Sequence, residues 1–202
     1  ELEKKTELST GLKQNGAITV ASSKERLQEL LRQATSAQLF DVNVEVLDKH
    51  QVKKLYPVIN DNDILGGVYM PDDGQADPVG VTHVLAKAAR MEGVQIYEKT
   101  PVTKILVKKN RIIGIETSEG KIECEYVVLA AGMWSRQIGE GIDVSVPLYP
   151  NEHFYIITEP INDLPKNLPV LRDYNDCLYL KEDAGKMLVG IFEPGAKNAF
   201  KE

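Results

Sequence analysis

The strongest constraint on the fold is the order of elements that the sequence indicates between residues 77 and 132. Asp77 precedes Pro78, as is typical of a helix start, and apolar residues then recur at helical spacing as far as Gly93. The segment "VQIYEKT", residues 94–100, follows directly and has the composition of a strand. A helix that leads straight into a strand is typical of an α/β crossover.

The rest of this stretch predicts short strands and then a buried one. Residues 101–124, "PVTKILVKKNRIIGIETSEGKIEC", alternate between apolar and polar positions around the turns "KKN" and "SEG", which predicts a small antiparallel meander. The continuous apolar run 126–130, "YVVLA", predicts a parallel strand that is buried on both faces. It ends in Ala-Ala-Gly, where small side chains let a ligand approach the backbone, although simple packing explains them equally well.

The flanking segments are rich in predicted strands. On the N-terminal side these are "GAITVA", "VNVEVLD" and "GGVYMPDDG", and from Pro147 onward they are "HFYIITEP", "CLYLKED" and "KMLVGIFEP". Ser22 or Ser23 is expected to cap a helix with Glu25 as the acid of a capping box, and Pro57 to end a second helix. The fold class is therefore α/β (α+β), in which an α/β piece with a meander, residues 75–145, interrupts a strand-rich antiparallel domain made of residues 1–74 and 146–202.

Composition excludes several functional classes. The chain of 202 residues carries 24 basic and 30 acidic residues, and a net charge of -6 argues against nucleic acid as a partner. No apolar run approaches the ~18 residues of a membrane span, and "ELEKKTELSTG" has no apolar signal core, so we expect a soluble protein with no membrane partner. The two cysteines have no zinc-ligand spacing, which predicts reduced thiols, no metal site and a cytoplasmic location.

Six blocks of the sequence carry a resemblance to a known family. They are "GGVYMPDDGQADP", "LAKAARMEGVQIYEKTPVTKI", "YVVLAAGMWSRQIG", "VPLYPNEHFYIITEPI", "LPVLRD" and "EDAGKMLVGIFEPGAK". In this order and spacing, the chain resembles the D-amino-acid-oxidase-like FAD-dependent amine oxidoreductases, and most closely their dimethylglycine and sarcosine dehydrogenase branch. The resemblance implies oxidation of an N-methyl amino acid by hydride transfer to FAD. An oxidase of the same family, or a non-catalytic regulatory protein on the same scaffold, remains an alternative.

The resemblance also implies where the missing parts of such a protein lie. The family binds the FAD pyrophosphate with a Gly-x-Gly-x-x-Gly turn, and these 202 residues contain no such turn. We therefore expect a central fragment that is inactive alone and associates with itself through unpaired strands. The branch further implies a folate-binding portion beyond residue 202.

Cofactor contacts are implied at six positions. By the resemblance, the backbone of Val102 meets the adenine, and Gly190 lies where a strand passes close to the flavin. Ala130, Ala131, Gly132 and Trp134 match the segment that passes the diphosphate and the ring system. Ordinary strand packing is an equally good interpretation of Val102.

The block "NEHFYIITEP" provides the candidate catalytic residues. Period-two alternation places His153 and Tyr155 on one face, where an imidazole and a phenol could orient an amine or accept its proton. A satisfied interior histidine beside a packed tyrosine is the alternative. Arg172 and Lys186 are candidate substrate-binding residues with the hydroxyl of Tyr179 as a helper, because the substrate carboxylate needs a cation or a hydrogen-bond donor. Glu152, a polar group at the start of the same block as His153, is a further candidate on the substrate side. Surface placement is the alternative for Arg172 and Lys186.

Overall fold

The computed structural model describes residues 1–199 of the chain. It consists of two units, one formed by Glu1–Glu92 with His153–Ala196, and one formed by Gly93–Glu152 with residues 197–199. The first unit includes α1 (Leu2–Thr6) and α4 (Pro78–Met91), which contact each other. For this reason the structural boundary lies after Glu92, whereas the sequence places it after residue 74.

A mixed seven-stranded sheet forms the centre of the first unit, with the strand order β2-β3-β1-β8-β9-β10-β7. The strands are β1 (Ala17–Ala21), β2 (Glu45–Asp48), β3 (Gly66–Met70), β7 (Phe154–Ile157), β8 (Val170–Asp173), β9 (Leu178–Asp183) and β10 (Lys186–Ile191). Five of the six neighbouring strand pairs are antiparallel, as predicted, and β1 and β8 run parallel. Parallel neighbours need a long connection, which the chain between these two strands provides. Strand β8 was not predicted, because "VLRD" is a very short apolar segment that follows a proline-rich loop.

Local capping signals position the helices of this unit. Asp77 accepts hydrogen bonds from the backbone N–H groups of Val79 and Gly80 at the start of α4, as predicted. Helix α2 (Lys24–Gln38) is capped by Ser23, whose hydroxyl accepts from the N–H of Arg26. The third helical position is therefore Arg26, and the prediction of Glu25 as a capping-box acid is wrong. A complete capping box occurs instead at α3 (Lys49–Leu55), between Asp48 and Gln51.

The two faces of the sheet are covered differently. On one face, Val52 of α3 and the neighbouring Tyr56 pack in a core that includes Ile18 and Leu171. On the other face, Leu30 and Ala34 of α2 pack against Ala21 and Val68, in β1 and β3. Helix α2 therefore covers the β1–β3 part of this second face, and the part formed by β8, β9 and β10 remains accessible.

The second unit contains the predicted meander and lacks two predicted strands. The meander is confirmed as β4 (Val102–Lys108), β5 (Arg111–Thr117) and β6 (Gly120–Glu123), followed by a 3-10 turn at Gly132–Trp134 and α5 (Ser135–Glu140). Residues 94–100 and 126–130 form no ladder within residues 1–199, so both strand predictions are wrong. Tyr126 is 85% and Val128 89% exposed, whereas the sequence predicts burial on both faces. A segment forms a strand only when it pairs with a neighbouring strand. The three strands of this unit pair with one another, and neither of the two segments joins their sheet.

None of the helices in the described part of the chain combines the length and the apolar character that crossing a lipid bilayer requires.

Candidate active site

Four of the predicted site residues lie in one row across the sheet of the first unit. Arg172 in β8 is opposite Tyr179 in β9, Tyr179 is opposite Gly190 in β10, and Gly190 is opposite Tyr155 in β7. Residues that are directly opposite in register project from the same face of a sheet. At roughly 4.8 Å between strands, the row spans about 15 Å. The register thus brings together residues that are separated by long stretches of sequence.

A cavity of about 390 Å³ lies at the end of this row that Arg172 and Tyr179 form. It is lined by Arg172 and Tyr179 together with Val170, Tyr174, Cys177, Leu178 and Phe192. Its volume suits a small metabolite, and its walls are mainly apolar and aromatic with one cation. A ligand with a carboxylate at one end and methyl groups at the other matches this lining.

The ring of Tyr179 occupies the space above Gly190. A methyl group added to Gly190 would lie 2.1 Å from Cε1 and Cζ of Tyr179. The Tyr179 ring also packs against Phe192, with ring centroids 5.3 Å apart. The close approach that the sequence suggested at Gly190 is therefore made by an aromatic side chain of this chain. The implied contact of Gly190 with the flavin stays a prediction.

His153 lies immediately before β7 and beside the cavity. Its ring packs edge-on against Phe192 with a centroid distance of 5.2 Å, and its Nδ1 lies 3.4 Å from Oε2 of Glu193. The pKa of Glu193 is lowered, first by a hydrogen bond from its own backbone N–H and second by the hydrogen bond with His153. A carboxylate at Nδ1 favours the tautomer whose Nε2 is free to accept a proton. Tyr155 is on the same face of the sheet but is 61% exposed.

Arg172 is the cation of the cavity. Its guanidinium makes no hydrogen bond among the described residues, and its nearest anion is Asp73, with Nη2 and Oδ2 3.9 Å apart. Lys186 lies four residues before Gly190 on β10, roughly 13 Å along the strand, and does not line the cavity. Glu152 is exposed and belongs to the second unit, where its N–H donates to the carbonyl of Lys197.

The second unit has its own cavity of about 530 Å³, which brings together three of the predicted cofactor residues. Val102, Ala130 and Ala131 line it, with Ile105, Ile115, Ile122 and other residues as further walls. These apolar walls fit a flat ring system, but no basic side chain among them could hold a diphosphate. Gly132 and Trp134 lie in the adjacent 3-10 turn outside the lining, and Trp134 is 59% exposed. A third cavity, between α5 and residues 143–149, contains none of the predicted residues.

The sequence interpretation does not identify Phe192 and Cys177, which line the first cavity, or Asp73, which contacts Arg172 from outside the lining. Phe192 stands two positions after Gly190, so period-two alternation from that glycine could have placed it on the same face. Cys177 has no such signal, because only the turn between β8 and β9 brings it to the cavity. Asp73 was interpreted as part of a turn, and its proximity to Arg172 is a tertiary contact that the sequence does not reveal.

A family model described as "FAD dependent oxidoreductase" matches residues 1–200. The chain is 38% identical to sarcosine dehydrogenase of Homo sapiens over 96% of its length and 33% identical to dimethylglycine dehydrogenase of Rattus norvegicus over 97%. It is also 35% identical, over its whole length, to the pyruvate dehydrogenase phosphatase regulatory subunit of Mus musculus.

The chain spans only part of each of these proteins. It covers 22% of the sarcosine dehydrogenase, and 23% of the dimethylglycine dehydrogenase and of the regulatory subunit. The solved structure of L-proline dehydrogenase from P. horikoshii is similar in fold, with a TM-score of 0.85 and 24% identity over 95% of this chain and 52% of that one.

Proposed function

Because the chain belongs to the FAD dependent oxidoreductase family, we propose that it supplies the substrate pocket and part of the cofactor site of a dehydrogenase for N-methyl amino acids such as sarcosine or dimethylglycine. The observation that carries this proposal is the row from Arg172 to Tyr155 with its cavity of about 390 Å³. Similarity to sarcosine and dimethylglycine dehydrogenases supports the choice of substrate class.

Arg172 binds the substrate carboxylate in this proposal. It is the one cation among the cavity-lining residues, and its N–H groups make no hydrogen bond within residues 1–199. A guanidinium presents its donors in a planar fork that matches a carboxylate. Tyr179 and Phe192 form the aromatic wall against which N-methyl groups pack, with Tyr174 as a further ring of the lining.

His153 accepts the proton that the substrate ammonium must lose. An amine carries its lone pair only when it is deprotonated, and that lone pair forms the C=N bond as the hydride leaves the neighbouring carbon. The imidazole lies beside Phe192, and Glu193 at its Nδ1 stabilises the protonated ring. Tyr155, in the same row, is available to donate a hydrogen bond.

FAD, when bound, accepts the hydride. In the second unit, Val102, Ala130 and Ala131 form an apolar surface for a flat part of this cofactor. The diphosphate needs backbone N–H groups at a helix N-terminus, and the glycine-rich turn that provides them is absent from the 202 residues. We therefore propose that these residues are a segment of a longer dehydrogenase and neither bind FAD tightly nor turn over substrate alone.

The test compares two arginine variants in the full-length protein. Arg172→Gln is expected to raise the KM for sarcosine roughly 10- to 100-fold, since a hydrogen bond to a charged group contributes about 1.5–3 kcal/mol. Arg32→Gln makes the same change at an exposed position on α2 and should leave KM unaltered. The readout is anaerobic bleaching of the flavin by the amine, so that the identity of the electron acceptor does not matter. Equal effects of the two variants would refute the role of Arg172.

A regulatory protein without catalysis is the second candidate function. The observation in its favour is the 35% identity to a phosphatase regulatory subunit over the whole chain. If the full-length protein binds FAD and neither amine bleaches it, the regulatory function is favoured. Oxygen consumption during turnover would instead identify an oxidase. The cytoplasmic location, the lack of a membrane or nucleic-acid partner and a folate site outside this chain stay predictions.

A further inference from the structure

We propose that Asp73, which lies outside the lining of the first cavity but contacts its cation Arg172, determines substrate specificity, and that its fixed carboxylate restricts the cavity to substrates with a single carboxylate. The inference rests on the proposed role of Arg172 as the carboxylate-binding cation. It gives a chemical role to a residue of the "PDDG" turn that the sequence explains by turn formation alone.

The backbone fixes the position of Asp73. Its Oδ1 accepts a hydrogen bond of 2.7 Å from the N–H of Gly74, and its carbonyl accepts one of 2.8 Å from the N–H of Gly16. The turn is also tightly packed, because a methyl group on Gly74 would lie 2.1 Å from the carbonyl oxygen of Lys13. One carboxylate oxygen is thus held by the turn, and the other, Oδ2, faces Arg172.

The contact between Asp73 and Arg172 leaves the guanidinium available. The distance of 3.9 Å from Oδ2 to Nη2 is within ion-pair range but too long for a hydrogen bond. Since Arg172 also makes no hydrogen bond to any other residue in the range 1–199, its N–H donors are open to a ligand there. Asp73 does not occupy the binding site of a carboxylate; it places a fixed negative charge beside it.

The charge balance then discriminates between substrates. Arg172 and Asp73 together are neutral, and the first substrate carboxylate binds the guanidinium directly. A second carboxylate has no cation to bind, since Arg172 is the only basic side chain that lines this cavity in the described residues, and it meets the charge of Asp73. A monocarboxylate such as sarcosine is accepted, and a dicarboxylate such as N-methylaspartate is disfavoured.

A binding experiment without flavin tests this inference directly. In the isotopically labelled 202-residue chain, the Nε–Hε NMR signal of Arg172, assigned by its loss in Arg172→Lys, is followed during titration with sarcosine or N-methylaspartate. Asp73→Asn retains a side-chain oxygen for the Gly74 N–H and removes the charge. It is expected to improve the affinity for N-methylaspartate relative to sarcosine about two- to fivefold, as a coupling of up to ~1 kcal/mol at a half-exposed pair implies.

Asp72→Asn is the matched control. It removes the same charge from the same turn, and Asp72 forms no ion pair with Arg172 in the described part of the chain. An unchanged affinity ratio in Asp73→Asn, or an equal change in Asp72→Asn, would overturn the inference while leaving Arg172 as the carboxylate site. If neither ligand moves the Arg172 signal, the proposed role of Arg172 fails, and the inference fails with it. Asp73→Ser, which also retains a side-chain acceptor, provides the same comparison should Asp73→Asn fold poorly.

Discussion

Replacement of Gly190 by alanine tests how the candidate site is built. Gly190 adopts a backbone conformation that any residue tolerates, since it is absent from the positive-φ positions. The obstacle to a side chain is therefore the Tyr179 ring, which lies 2.1 Å from the position of a methyl group on residue 190. In this arrangement the glycine is required by packing within the chain.

The expected effect follows from that distance. Two carbon atoms need about 3.5 Å between them, so the ring must withdraw by roughly 1.4 Å in Gly190→Ala. Overpacking of this kind typically costs about 1–3 kcal/mol of unfolding free energy. In a chain of this size, each kcal/mol lowers Tm by about 2–4 °C.

A double-mutant cycle separates this clash from other causes. In the Tyr179→Ala background the ring is absent, and alanine at position 190 should then stabilise the strand by about 0.5–1 kcal/mol relative to glycine. The same substitution is thus expected to change sign between the two backgrounds. Urea unfolding followed by circular dichroism measures all four variants.

Additive effects would refute the reasoning. If Gly190→Ala destabilises the Tyr179→Ala protein as much as the wild type, the ring is not the obstacle. A normal stability of Gly190→Ala in the wild-type background would likewise contradict the packing described for this site. In that case the glycine would be explained by the contact with the cofactor that the family resemblance implies.

Three further predictions concern stability and association. Burial, together with the charge of Glu182, raises the pKa of Tyr56 from 10.0 to about 12. Because the pKa of Tyr56 is higher in the folded state than in the unfolded state, ionisation of this residue favours unfolding. The free energy of unfolding therefore keeps its full value below about pH 10 and falls as the pH rises towards 12, by at most roughly 3 kcal/mol. Tyr56→Phe should abolish this alkaline loss in unfolding curves measured between pH 9 and 12, and a persisting loss would assign it to other groups. Asp77→Ala should lower the free energy of unfolding by ~1 kcal/mol, because it removes the acceptor for the N–H groups of Val79 and Gly80. Asp77→Asn keeps a side-chain oxygen as an acceptor and should lower the free energy of unfolding less. The edge strand β7 should promote self-association, because its four residues are 58% to 66% exposed. Ile156→Lys should therefore reduce the molar mass measured by light scattering. A monomeric wild-type chain would contradict this prediction.

Sequence patterns predicted the elements whose signals are local. The Asp77 cap, the helix that follows it and the meander of β4, β5 and β6 are all confirmed. Each depends on residues only a few positions apart, so the chain specifies it without reference to distant segments. The resemblance to one family likewise depends only on the order and spacing of six blocks, and the family model that matches residues 1–200 confirms it.

The sequence alone could not decide which segments pair. Residues 126–130 have the apolar composition of a buried strand, yet they form no ladder among the described residues and Val128 is 89% exposed. Strand β8 has only four residues but lies inside the sheet, because β1 and β9 pair with its two edges. Composition determines whether a segment tends to be buried, whereas a ladder also requires a partner strand.

The candidate site shows the same division. The sequence by itself identified Arg172, Tyr179 and His153 as chemically suitable residues, and the family resemblance added Gly190. Only the tertiary structure decided that Arg172, Tyr179 and Gly190 share one row, that Lys186 lies away from it, and that Asp73 faces the guanidinium. The physical reason is that residue type sets what a side chain can bind, while cross-strand register sets what it can reach, and register depends on contacts between segments that are distant in sequence.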